Sequence, residues 1–133
     1  MILNILEKVT TSIKVANFRE CTDDYLDCFG NPDDLGKIGT DIQENKCTWL
    51  ICKALEVCND EEKGVLEKHY GKDNEFDIQQ IKKMYSHLKI DVIYGKKSSI
   101  MYKELKAEII ELGIYFPPQL FLNYLELIHN RQK

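Results

Sequence analysis

An all-α fold is what this 133-residue chain predicts, and three observations predict it. Apolar residues recur at three- and four-residue spacing along most of the sequence, the period of one helix face. No stretch alternates apolar and polar residues as a half-buried strand would. The strong breakers, Gly30-Asn31-Pro32, Gly71 and Pro117-Pro118, fall between the periodic runs.

Ile2, Leu6, Val9, Ile13, Ala16, Leu26 and Phe29 predict a first helix or pair of helices, stopped at Gly30-Asn31-Pro32. Residues 31–40 read as a loop. A second helix is predicted from near Thr40 or Asp41, carrying Trp49, Leu50, Ala54, Leu55 and Cys58. Asn59-Asp60 offers an N-cap for a short helix through Leu66 to Tyr70, closed by Gly71. Ile78, Ile81, Met84, Tyr85 and Leu88 mark a further amphipathic helix. A longer one spans 92–112, weakened at its start by Gly95. Pro117-Pro118 can open a last helix with Leu120, Phe121, Tyr124, Leu125 and Ile128. The expectation is one domain over residues 1–133 with about six helices.

Composition narrows the function. With 44% hydrophobic and 30% charged residues the chain is globular. A net charge of -4 without a basic stripe argues against non-specific nucleic-acid binding. The five cysteines, Cys21, Cys28, Cys47, Cys52 and Cys58, include no C-x-x-C pair and are odd in number. They read as reduced thiols and not as a disulfide framework or zinc site, with Cys47, Cys52 and Cys58 packing as small apolar residues. Trp49 and the tyrosines are expected in the core or at an interface, not as a ligand cage. His69, His87 and His129 lack metal spacing and are expected at surface or capping positions. The apolar opening, residues 1–6, is too short for a signal peptide, and no run approaches a membrane span. The expected location is cytoplasmic.

The chemistry concentrates in residues 23–50, DDYLDCFGNPDDLGKIGTDIQENKCTWL. On a helix, Asp23 and Asp27 share a face and Asp24 lies about a quarter-turn away. Like charges at that spacing repel by roughly 0.2–0.5 kcal/mol, so they stand in water or meet a cation. Hard carboxylate oxygens favour magnesium, which keeps waters and adds substrate phosphates to its shell. Gly36 and Gly39 then bracket Lys37, with Thr40, Asp41 and Lys46 following. Glycines let backbone N–H groups approach an anion, and lysines supply mobile point charge. The spacing is neither a P-loop, with Asn31 and Ile38 at positions that need Gly and Ser or Thr, nor an EF-hand.

Taken together, DDYLD, FGNP and GKIGTDIQENKCTWL resemble the second aspartate-rich region of the farnesyl diphosphate synthases, the short-chain trans-isoprenyl diphosphate synthases. Tyr70-Gly71, Lys83-Met84-Tyr85 and Phe116-Pro117-Pro118 extend the likeness over residues 20–133. The resemblance implies part of an isoprenoid-synthase-type helical bundle, this chain matching its C-terminal half. It implies a Mg2+ cofactor, with Asp23 as direct ligand and Asp24 and Asp27 acting through bound water. Lys37, Lys46 and Thr40 would contact the diphosphate, the two lysines acting catalytically by stabilising charge as the C–O bond ionises. The implied substrate is an allylic diphosphate, dimethylallyl or geranyl diphosphate, condensed with isopentenyl diphosphate.

Three departures from that pattern shape the functional expectation. The family's first aspartate-rich region would lie ahead of residue 1. Arg19-Glu20 stands where the family has Phe-Gln, and the chain ends Arg131-Gln132-Lys133 in place of a strongly basic tail. The expectation is a synthase homologue inactive by itself. The alternative is a non-catalytic, truncated homologue that partners or regulates a full-length synthase. A third reading is a helical magnesium- or anion-binding protein unrelated to prenyl transfer. Uncovered apolar helix faces, carrying Phe29, Trp49 and Leu55, lead to an expected homodimer or a heterodimer with a full-length synthase.

Overall fold

A computed structural model describes residues 2–113 and 118–131, the first three of them as backbone only. The described residues form helices and no strands: α1 (Ile2–Phe29), α2 (Pro32–Leu35), α3 (Trp49–Val57), α4 (Asp60–His69), α5 (Glu75–His87), α6 (Ile90–Leu112) and α7 (Gln119–Asn130). The fold is all-α, as the periodicity predicts. The first helix is one continuous element of 28 residues.

Two boundaries differ from expectation. The predicted loop over 31–40 contains the one-turn helix α2. Asn31 caps it by accepting from the Asp33 N–H, and Gly36, at φ 69°, closes it with its N–H on the Pro32 carbonyl. Only glycine enters that left-handed region without steric cost. The second predicted helix starts at Trp49, not near Thr40 or Asp41. The N–H groups of Thr40 and Asp41 are already committed to the Asp27 carboxylate, and Asn45 turns the chain at φ 56°. Thr48 is the actual N-cap, its Oγ1 accepting from the Ile51 N–H at 3.3 Å.

α4 begins where its sequence says. Asn59 accepts from the Glu62 N–H, and the Glu62 carboxylate accepts from the Asn59 N–H, a complete capping box. Pro118 precedes α7 as predicted, while Phe116 and Pro117 lie outside the described residues.

Contacts divide the chain into two compact units, residues 1–22 with 95–133, and residues 23–94. In the first, Val15 and Phe18 of α1 bury against Leu105 and Ile109 of α6 and Leu125 and Ile128 of α7. Its polar ties include two exposed ones, Lys14 Nζ to Glu108 at 2.6 Å and Arg19 Nη1 donating to the Tyr124 hydroxyl at 2.9 Å, and a part-buried one, the Thr11 hydroxyl donating to Glu108 at 3.4 Å.

Among the described residues the second unit has the larger core. Ile42, Leu50, Ile51, Ala54, Leu66, Ile81, Tyr85 and Ile90 are buried together. Tyr25 stacks on Phe29 at 5.0 Å and on Tyr94 at 4.2 Å, and Trp49 meets Tyr94 edge-on at 5.7 Å. Phe29 and Trp49 therefore pack against this core and are not left as an uncovered face. Of the three residues expected there, Leu55 remains exposed, at 43%.

Two side-chain expectations also change. His69 is buried, its Nδ1 2.5 Å from Asp77 Oδ1, and Asn74 donates to the other Asp77 oxygen. The link spans the turn between α4 and α5, a non-local pairing that metal-spacing logic does not search. Cys47 and Cys52 are exposed, not packed as small apolar residues.

Candidate functional site

The acidic turn near the C-terminus of α1 holds the three predicted carboxylates. Asp23 is exposed, whereas Asp24 and Asp27 are half-buried. Asp27 accepts from two consecutive backbone amides, Thr40 N–H at Oδ1 (3.3 Å) and Asp41 N–H at Oδ2 (3.0 Å). The approach is close enough to demand Gly39: a Cβ there would sit 1.8 Å from the Asp27 carbonyl oxygen. Asp24 Oδ2 accepts from the Trp49 N–H at 2.9 Å, so a carboxylate of α1 sits on the first residue of α3. That amide has no partner within its own helix, and the helix dipole favours negative charge there.

These bonds pin the segment that carries the lysines. Tyr70 donates its hydroxyl to the Lys46 carbonyl at 2.6 Å, and the Gly71 N–H reaches the Ile42 carbonyl at 3.0 Å. Burial pushes the Tyr70 phenol up to about 12, so it remains a neutral donor. Residues 40–49 are thus held by α1 at both ends and by the turn after α4 in the middle.

Charge within the segment is partly internal. Lys46 Nζ lies 3.3 Å from the buried Asp41 carboxylate. Its hydrogen bond to Asp41 holds the ammonium above its ordinary range, with Asp24 and Asp27 adding to the effect. Asp41 moves opposite to what an ion pair alone would cause. Burial first, and then the charge of Asp27, raise its carboxyl more than Lys46 lowers it. Lys37 is exposed one residue after the Gly36 turn, and Thr40 is exposed with its N–H on Asp27.

The structure therefore brings Asp24, Asp27, Thr40 and Lys46 into one connected network. Asp23 lies in the same turn of α1, and Lys37 lies on the adjoining loop. Three participants are absent from the sequence reading: Asp41 as the Lys46 partner, the Tyr70 hydroxyl, and Thr48 as cap. Thr48 directly before an apolar run was a readable signal; the Tyr70 hydroxyl depends on a contact distant in sequence, and Asp41 meets Lys46 only because the chain turns between them.

Among the described residues no three His, Cys, Asp or Glu side chains converge on one point as an all-protein metal cage. Magnesium does not need one, since it keeps several waters and binds through one or two carboxylates and phosphate oxygens. The exposed Asp23 carboxylate and the two further acids of its turn fit that donor chemistry.

Residues 12–88 match the family described as Polyprenyl synthetase. A probable farnesyl diphosphate synthase of Dictyostelium discoideum is 41% identical over 111 residues, which cover 84% of this chain and 31% of that protein. The farnesyl pyrophosphate synthase of Saccharomyces cerevisiae is 38% identical over 123 residues, covering 91% of this chain and 35% of that protein. The chain thus spans about a third of the length of these relatives. A solved farnesyl pyrophosphate synthase of T. brucei superposes with a TM-score of 0.83 at 22% identity, over 97% of this chain and 39% of that one; at that identity it shows the shared fold. With more than half of its residues matching, the chain belongs to the polyprenyl synthetase family.

Proposed function

We propose that this chain carries the diphosphate-gripping portion of an isoprenyl diphosphate synthase and binds an allylic diphosphate, dimethylallyl or geranyl diphosphate, together with Mg2+. One observation carries the reading: the same acids that would face the metal hold the lysine-bearing segment through the N–H groups of Thr40, Asp41 and Trp49. Acidic and cationic groups far apart in sequence are fixed beside one another before any ligand arrives, which is the preorganisation that electrostatic catalysis requires.

Asp23 would hold the ion directly, with Asp24 and Asp27 contributing through water. Magnesium, when bound, would offset the negative charge of the diphosphate. Lys46 would turn from Asp41 to a phosphate oxygen, and Lys37 would reach it from the loop. The Thr40 hydroxyl would donate a further hydrogen bond. In the whole reaction the allylic C–O bond breaks, isopentenyl diphosphate attacks the resulting carbon, and a proton is lost. This chain's lysines would stabilise the departing diphosphate as charge develops.

Tested as the 133-residue chain alone, it should bind without turnover, because it offers one aspartate-rich run where the resemblance implies two. A radiolabelled assay with geranyl diphosphate, isopentenyl diphosphate and magnesium should show no product above background. Turnover would overturn that part of the proposal. The chain would act in the cytosol.

A second reading, a non-catalytic partner or regulator, is favoured by the exposed apolar residues Leu6, Val9 and Ile13 along α1, each more than half exposed. They offer a stripe to a second copy or to a full-length synthase. Analytical ultracentrifugation of the chain, alone and with a full-length relative, decides this: a monomer in both cases removes the second reading.

A further inference from the structure

Cys47 and Cys52 are both exposed, and their sulfurs lie 3.6 Å apart. The helix start explains the contact. With Thr48 as N-cap, Cys47 is the residue before the cap and Cys52 the fourth residue of α3. Those two positions close on each other across a helix N-terminus, usually as an apolar staple. Thiols can make the same contact while carrying chemistry that aliphatic side chains lack.

We propose that Cys47 and Cys52 are a reversible dithiol–disulfide pair, a redox-responsive clasp over the N-terminus of α3. The inference stands on the thiol geometry and is independent of the diphosphate reading. Its consequence falls beside that site, because Cys47 directly follows Lys46 and Trp49 is the residue bound by Asp24. Oxidation would tie the Lys46-bearing segment covalently to α3.

A low-molecular-weight disulfide such as oxidised glutathione supplies the oxidant. The Cys47 thiolate attacks one of its sulfurs, forming a mixed disulfide and releasing one small thiol. The Cys52 thiolate then attacks the Cys47 sulfur and releases the second. Two protein thiols become one disulfide, one small disulfide becomes two thiols, and the two protein protons pass to the departing thiolates. Either thiol can make the first attack, the other then resolving the mixed disulfide. The remaining cysteines differ. Cys21, Cys28 and Cys58 are half-buried, and burial pushes the Cys28 thiol up to about 11.

The test equilibrates the folded chain in glutathione buffers of rising oxidised fraction, quenches with acid, alkylates and digests with trypsin. Lys46 and Lys53 flank the pair, so residues 47–53 leave as one peptide. The expected product is that peptide lighter by two hydrogens, with both alkylations lost together and restored by dithiothreitol. Cys52→Ser should instead accumulate a glutathione adduct at Cys47. Independent alkylation of both thiols in excess oxidised glutathione would overturn the proposal. So would separate glutathione adducts with no internal bond, or equal selectivity for this pair in guanidinium chloride, where the fold no longer holds them together.

Discussion

The two compact units contrast in what holds them. Residues 23–94 bury a broad aromatic-rich core and pin their irregular segment through acceptors on other elements: Asp24 to Trp49, Asp27 to Thr40 and Asp41, Tyr70 to Lys46. Among the described residues, 1–22 with 95–133 have a smaller core, tied by both exposed pairs such as Lys14–Glu108 and part-buried ones such as Thr11–Glu108. They also carry most of the exposed large apolar side chains, including Ile5, Leu6, Val9, Ile13, Leu120 and Leu127. Exposed ion pairs are worth about 0–1 kcal/mol, whereas leaving an amide unpaired costs about 1–3 when it is buried, a penalty the part-buried Asp41 and Trp49 amides incur in part. Precise loop geometry therefore belongs to the second unit, and it is where every predicted site residue falls.

The largest effects should come from the cores. Ile81→Ala and Ile109→Ala each remove a fully buried side chain, one per unit, and each should cost about 2–5 kcal/mol. Hydrogen exchange should show protection falling mainly within the mutated unit. Equal loss throughout the chain in both variants would erase the distinction between them.

Asp27→Ala comes next, at about 1–3 kcal/mol, because it strands the part-buried Asp41 amide and releases the exposed Thr40 amide to water. Exchange at those two amides should accelerate while the α7 amides remain unchanged. Gly64→Ala is the internal control. A methyl there meets no atom within 4 Å, so this helix position should gain about 1 kcal/mol. Tyr70→Phe should be milder, about 1 kcal/mol by denaturant melt, since it removes one hydrogen bond to the Lys46 carbonyl.

The smallest effect is in pH dependence. Its bonds to His69 and then Asn74 hold the Asp77 carboxyl below its ordinary 3.8. A lowered folded value means its stabilisation is fully present above about 3.8 and is lost as pH falls through the folded value. Asp77→Asn should flatten that acid limb of a melting-temperature profile; an unchanged limb would remove Asp77 from the account.

What the sequence disclosed follows the same division by range. α4 was legible because Asn59 and Glu62 satisfy each other locally; for α1 the end at Gly30 was legible, but the gap in apolar positions between Ala16 and Leu26 left one helix or a pair open. The α3 start was not legible, because Thr40 and Asp41 look like helix caps until Asp27, thirteen and fourteen residues earlier, takes their amides. Asp23, Asp24 and Asp27 were recognisable as one acidic face. Nothing local said that two of them brace backbone while the third is exposed. The buried His69–Asp77 pair was hidden because it joins two helices across a turn.

The proposed function divides the labour within DDYLD: Asp27 braces the lysine segment, and Asp23 would grip the metal. Titration calorimetry with inorganic diphosphate, with and without magnesium, tests it on Asp23→Ala, Asp27→Ala and Asp33→Ala alongside melting curves. The expected result is that Asp23→Ala abolishes magnesium-dependent binding, that Asp27→Ala lowers both binding and stability, and that Asp33→Ala alters neither. Equal binding loss in Asp23→Ala and Asp33→Ala would mean generic acidity and contradict it.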